Sequence, residues 1–233
     1  MKGKNLILNG ALSAIILFVA AVCFYPVTNG VSNVQDNVFE HGDRESKHVS
    51  LMFNVYWGTD VVYDILGVLD KYGAKCTFFV GGCWADDNAA CLKEIAKQGH
   101  EIGNHGYFHK DMDRLDYSSN EEEIRINHEL VRKTLGIEMS LFAPPSGAYS
   151  DNTVKAACDL GYQTILWSKD TVDWRDKDEE IIYQGAIGAR GGDFVLMHPM
   201  QETYAALDRI LKYYGEQGLT CVTVSENLKT QIT

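Results

Sequence analysis

Val49-Ser50-Leu51-Met52-Phe53-Asn54, then residues 59–72 closed by Gly73, then Cys76-Thr77-Phe78-Phe79-Val80-Gly81: the reading of this stretch decides the fold. The first and last pieces are short apolar runs rich in β-branched and aromatic residues, which is the composition of buried strands. Between them Thr59 can cap a helix that Gly73 stops. A strand, a helix and a strand joined by short links predict parallel pairing over a crossover helix. The pattern continues: a helix over 85–98, a strand over 99–103, and a helix opening on the capping box Ser119-Asn120-Glu121-Glu122 and ending near Gly136. Strands over 140–143, 163–167, 194–198 and 220–224 alternate with helices over 151–160, 178–188 and 202–214. Seven strands alternating with helices predict a single α/β domain, a deformed (β/α)7-type barrel with its parallel sheet closed or nearly closed.

The N-terminus reads differently. Lys2 and Lys4 precede an apolar run from about Leu6 to Val27, and Asp36, Glu40 and Asp43 follow it. Positive charge before and acid after predict an N-terminus inside and a domain outside. Residues 1–27 are therefore expected to be a membrane anchor, or a signal segment if cleaved; 28–47 are a linker and 48–233 the catalytic-size domain. The expected location is extracytoplasmic. A net charge of -11 argues against nucleic acid and bare anionic lipid as partners and is compatible with a glycan. Of six cysteines, Cys23 lies in the apolar leader; Cys83 and Cys91 could pair across a loop, while Cys76, Cys158 and Cys221 sit in apolar patterns and read as small core residues. No framework spacing appears.

Chemistry concentrates in four places. His105-Gly106-Tyr107-Phe108-His109 puts two imidazoles four residues apart, near enough on one helical turn to share a metal ion. Gly106 stands where a metalloprotease helix would carry its Glu, so this is not that motif. Ala143-Pro144-Pro145-Ser146-Gly147, Asp170-Thr171-Val172-Asp173-Trp174 and Val195-Leu196-Met197-His198-Pro199 each lie in or just after a strand-like run. In an α/β chain the C-terminal ends of strands build the site. His198 can also be read as a core histidine, and Asp170 or Asp173 as the cap of a turn.

The order of these motifs resembles the polysaccharide deacetylase family with the NodB homology domain, over roughly residues 47–228, and the wording around Asn54, Trp167 and His198 looks most like a sporulation-associated subfamily. The resemblance implies a divalent metal, zinc before others, that polarises an N-acetyl carbonyl and activates water, with one carboxylate as base and a late His protonating the leaving amine. It implies that His105 and His109 hold the metal, that His198 is the acid and Asp173 the carboxylate orienting it, and that Pro145, Trp174 and Leu196 contact substrate.

Departures matter as much. Where the family has two adjacent aspartates, base then ligand, this chain has Asn54 and Val55, and where it has an Arg pairing with the base, this chain has Ala143. A carboxamide accepts no proton at neutral pH and Val binds no metal. The losses are coupled, because an Arg at 143 without a carboxylate at 54 would be a buried unpaired charge, costing about 3–5 kcal/mol. Asp60 is the candidate for a replacement third ligand, with a helix N-terminal charge as its other reading, and Asp113 is a weaker candidate. The expected function is metal-dependent hydrolysis of N-acetyl amides in an extracytoplasmic, peptidoglycan-like amino-sugar polymer, weakened by loss of the base. The alternative is an inactive relative that binds cell-wall glycan or an envelope partner.

Overall fold

A computed structural model describes residues 37–229. The leader and the first part of the linker expected over 1–47 lie outside the described residues. Among those described, no helix is long and apolar enough to cross a membrane.

The central strand β2 (His48–Val55) is followed by α1 (Thr59–Lys71) and β3 (Thr77–Val80), as the opening stretch predicts. The chain continues through α2 (Gly82–Asp87), α3 (Ala89–Lys97), β4 (Glu101–Asn104), α4 (Tyr117–Leu135), β5 (Leu141–Phe142), α5 (Asp151–Asp159) and β6 (Gln163–Ile165). It ends with β7 (Lys169–Asp170), α6 (Asp173–Asp176), α7 (Glu179–Ile187), β8 (Phe194–Met197), α8 (Gln201–Glu216), β9 (Thr220–Cys221) and α9 (Val224–Lys229). A two-residue strand, β1 (Val38–Phe39), precedes them all.

The named strands pair in parallel in the order β1-β6-β5-β4-β3-β2-β8-β7, with β9 against the start of β2. The segment from β6 to β7 pairs at one end with β5 and at the other with β8, the two ends of the row β5-β4-β3-β2-β8. The sheet therefore curls back on itself, but its ladder breaks over residues 166–168. The architecture is a curled parallel sheet, a partial barrel, rather than the closed seven-stranded form.

Pleating sorts β2 into two faces. Val49, Leu51, Phe53 and Val55 pack with Val62, Ile65 and Leu66 of α1 and Leu207 and Ile210 of α8, in the layer between sheet and helices. Met52 instead joins Phe79, Leu141, Ala143, Ile165, Phe194 and Leu196 inside the curl, where Val224 and Leu228 of α9 also pack. The end of the curl where β2 and β3 begin is closed by hydrogen bonds to the α9 region: Asn227 Nδ2 donates to Ser50 Oγ at 3.0 Å and the Val224 amide to Thr77 Oγ1 at 2.8 Å. The opposite end is left for the site.

Several local expectations change. The helix over 85–98 is two helices broken at Asn88, whose side chain donates to Trp84 O and accepts from Thr59 Oγ1. Thr59 is thus tied sideways and does not cap α1, whose N-cap is Gly58. The cap of α4 is Asp116, accepting from the Ser119 amide at 2.9 Å, not the box beginning at Ser119. The last strand stops at Cys221, because the chain turns under the sheet into α9. The five cysteines among the described residues are free, so Cys83 and Cys91 do not pair, and Cys158 is exposed on α5 rather than in the core.

Candidate active site

Asn54, His105 and His198 lie at or just past the C-terminal ends of β2, β4 and β8, and they meet with His109 around a pocket of about 280 Å³. Ser146, Trp57, Trp167, Asp170, Trp174 and Leu196 complete its lining. This volume sits at the small end of ligand clefts, which run from about 300 Å³ upward.

The two histidines are not on a helix, as their spacing suggests, but on the irregular loop leaving β4. Gly106 adopts φ 71° and His109 φ 55°, and these left-handed residues turn the loop so that the imidazoles stand 5.1 Å apart at 71°. His105 is buried and donates from Nδ1 to Ala143 O at 2.7 Å, which leaves Nε2 unprotonated and free to bind. Burial, then the neighbouring His109, pushes its pKa down to about 3. His109 is also lowered, chiefly by burial, and its ring packs 4.7 Å from that of Tyr56.

A buried carboxylate fixes this loop. Glu123 on α4 accepts from the amides of Tyr107 (3.0 Å) and Phe108 (2.7 Å) and pairs with Lys110 at 2.8 Å. Beneath it, Asn104 Oδ1 accepts from the Gly106 amide and from Asn127 Nδ2, each at 2.9 Å. Sequence reasoning missed these supports. Their signal was present as three polar residues, Asn120, Glu123 and Asn127, on the buried face of α4 with Ile124 and Val131.

Asp173 is fully buried and accepts three bonds: from His198 Nδ1 at 2.8 Å, from the His198 amide at 2.6 Å and from Thr203 Oγ1 at 2.7 Å. This holds the His198 ring with Nδ1–H toward the carboxylate and Nε2 free for the cleft. Trp57 stacks on that ring at 5.8 Å and 3° and reaches Met200 Sδ with its indole N–H. Asp173 is positioned by a strained turn. Val172 before it has φ 52°, and its amide is held by Asp170 Oδ1 at 2.7 Å. Asp170 thus holds the turn, and Asp173 holds the His198 ring, which lines the pocket.

Other candidates separate. Leu196 and Trp174 line the pocket; Pro145 is buried in the turn that carries Ser146 and is not among the lining residues. Asp60 is exposed in the first turn of α1 and Asp113 is exposed in a 3₁₀ turn, and neither reaches the pocket. Val55 packs on the helix side of β2 and Ala143 inside the curl. Trp57, Trp167 and Ser146 were not assigned to the site from sequence.

Among the described residues no group of three or more His, Cys, Asp or Glu side chains is placed to hold a metal ion. His105 and His109 therefore form a two-imidazole pair. The donor set is one anionic ligand short of a resident catalytic metal, since three protein ligands are the usual catalytic zinc complement.

The curled sheet carries the Asp173–His198 pair and the two histidines of the β4 loop on one rim, around one pocket. The chain belongs to the polysaccharide deacetylase family, whose pattern it matches over residues 41–165. It is 36% identical over 186 residues to a peptidoglycan-N-acetylglucosamine deacetylase of Bacillus cereus, covering 74% of this chain and 84% of that one. It is 31% identical to YlxY, an uncharacterized protein of Bacillus subtilis, covering 84% of this chain but only 62% of that relative's length. A crystal structure of a CE4 family pseudoenzyme from Bacillus anthracis matches with TM-score 0.80 and 33% identity, covering 82% of this chain and 68% of that one. A mutant of that pseudoenzyme with restored enzymatic activity matches equally, at TM-score 0.80 and 31% identity, covering 82% of this chain and 71% of the mutant.

Proposed function

We propose that the chain holds an N-acetylated amino-sugar polymer of the cell wall in this groove and hydrolyses its N-acetyl amide at no more than a residual rate. The observation that carries the reading is Asn54 on the pocket floor, in place of a proton acceptor, with Val55 turned into the core. Amide hydrolysis needs a base to take a proton from water and an acid to give one to the departing amine. His198 can serve as the acid, because Asp173 fixes its tautomer and Trp57 its plane. Asn54 cannot serve as the base, and His105, whose pKa lies near 3, is too weak a base to replace it.

Peptidoglycan is supported as the glycan by the names of the Bacillus relatives, and residual or absent turnover by the pseudoenzyme neighbour. Exposed Trp57 and Trp174, which line the pocket, offer apolar ring faces to the C–H faces of sugars. We place the domain outside the cytoplasm, held through residues 1–27, with zinc bound loosely by the two imidazoles, and keep the sporulation-associated subfamily as its closest functional setting. A second reading, an active deacetylase, is favoured by the intact Asp173–His198 pair. Acetate release from an N-acetylglucosamine tetramer, measured with the zinc content of the same full-length preparation, separates them. Turnover within about tenfold of the Bacillus cereus relative would refute the first reading.

A further inference from the structure

The histidine loop is tied to the surface by a chain of side-chain hydrogen bonds that runs in one direction. Asn104, fully buried at the end of β4, engages both ends of its carboxamide: Oδ1 accepts from the Gly106 amide and Asn127 Nδ2, while Nδ2 donates to Ile124 O at 2.8 Å and to Tyr162 Oη at 3.2 Å. Tyr162, 2% exposed just ahead of β6, keeps its own proton, because burial holds its pKa above the usual value. Its oxygen already accepts from Asn104, so the phenol gives that proton to His128 Nδ1 on α4. His128 Nε2 then carries the remaining imidazole proton and donates it to Glu138 Oε2 at 2.6 Å. Every link is satisfied in one state, with His128 neutral. A second imidazole proton, on Nδ1, would bring two N–H groups to the phenol oxygen and leave the phenol proton without its acceptor. The other end of the chain grips a sensitive point. Gly106, with φ 71°, is the turn between His105 and His109 that sets the angle between their rings.

We propose that Tyr162 and His128 are positioning residues for the His105–His109 pair, holding the Asn104 carboxamide in the orientation that fixes the Gly106 turn. Neither lines the pocket; both act through Asn104. Without the hydroxyl, Asn104 Nδ2 loses one of its two acceptors, and a buried donor left unpaired costs about 1–3 kcal/mol. The carboxamide can seek a new partner only by turning, which draws Oδ1 away from the Gly106 amide. Without an acceptor at 128, the phenol proton is orphaned instead and the same joint loosens.

The test uses the full-length chain in the presence of a chelator and needs neither glycan nor metal. NMR reads the imidazole signals of His105 and His109, and hydrogen exchange reads the Gly106 amide. In Tyr162→Phe and in His128→Leu both imidazole signals should shift, and the Gly106 amide should exchange about tenfold faster, the worth of one hydrogen bond, while the amides of β2 keep their wild-type rates. His128→Asn, whose Oδ1 can take the phenol proton in place of Nδ1, should bring both readouts back toward wild type. Unmoved His105 and His109 signals in a folded variant, an Asn variant that behaves like the Leu one, or β2 amides that speed up along with Gly106 would each overturn the inference. His128 is only partly buried on α4, so its two variants decide the matter even if Tyr162→Phe does not fold.

Discussion

Restoring the missing carboxylates tests the coupled losses most directly. The perturbation is Asn54→Asp, Val55→Asp and Ala143→Arg together. All three positions are buried: Asn54 is 4% exposed and Val55 and Ala143 fully covered. Asp at 54 alone would be a carboxylate in a low-dielectric pocket beside two neutral imidazoles, conditions that raise its pKa and leave it a poorly held base. Adding Arg at 143, inside the curl with the pocket floor, supplies the counter-charge. The gain expected for the triple variant is at least about a hundredfold in acetate release, the lower end of general-base catalysis, or about 2.7 kcal/mol of barrier. Stability moves the other way. Val55 packs among Val61, Val80 and Trp84, so Asp there costs about 3 kcal/mol or more unless zinc is bound. The triple variant should therefore melt lower than wild type, and zinc at a hundred times its Kd should return about 2.7 kcal/mol. The assay is acetate release from an N-acetylglucosamine tetramer alongside thermal melts with and without zinc. If Asn54→Asp alone gave the full rate, or the wild type already matched the triple variant, the argument from Asn54 and Ala143 would fail.

Other outcomes follow from single contacts. Asp173→Asn in the restored background should lower deacetylation by about a hundred- to ten-thousandfold, because the His198 tautomer is no longer fixed; rates near those of the parent would make Asp173 a mere cap. Glu123→Gln should cost about 1.5–3 kcal/mol in urea melts and shift the imidazole NMR signals of His105 and His109, since two loop amides and Lys110 lose a charged partner; unmoved imidazole signals would separate Glu123 from the site. His100, with its pKa pushed down to about 4 by burial and then by Lys75, lies below its unfolded value of 6.5. It favours the neutral folded state, so its contribution is present above pH 6.5 and is lost as pH falls toward 4. Between pH 7.5 and 5.0 the loss is about 2 kcal/mol, and His100→Leu should remove that part of the pH dependence in paired denaturant titrations. Gly58 has φ 77°, and a Cβ there would meet Pro199 O at 2.4 Å; Gly58→Ala should displace Trp57 from His198 and quench the residual rate by more than tenfold, whereas an unchanged rate would show that the two loops yield without consequence.

What the sequence disclosed, and what it hid, has physical reasons. The βαβ units were legible because buried parallel strands are continuous apolar runs and their helices end at glycines, Gly73 and Gly136, which reach the left-handed conformation without steric cost. The break at Asn88 was hidden because it depends on Thr59, a residue 29 positions away, donating its hydroxyl to the Asn88 side chain across the fold. The His105–His109 spacing suggested a helix that does not exist. A loop with two left-handed residues can bring i and i+4 together just as a helical turn does, and spacing alone cannot tell them apart. His198 and Asp173 were found by order and residue type, but Trp57 and Ser146 were not, because rim residues are chosen by the geometry of several loops at once. Asp60 was plausible by proximity to Asn54 in sequence; the five intervening residues carry it onto the exposed face of α1.

The hydrogen bonds and apolar contacts that join α9 to the start of β2 and β3 have a consequence for how the chain reaches its native state. Val224 and Leu228 complete the same interior cluster as Met52 and Phe79, and Asn227 bonds Ser50 across 177 positions. Contacts of such sequence separation form late, because loop closure must precede any gain from them. On the ribosome, the interior of the curl stays open until residues 224–228 have emerged, so a nascent chain lacking them exposes Met52 and Phe79 to water. The last helix is thus the stopper whose arrival closes the interior and completes the native state.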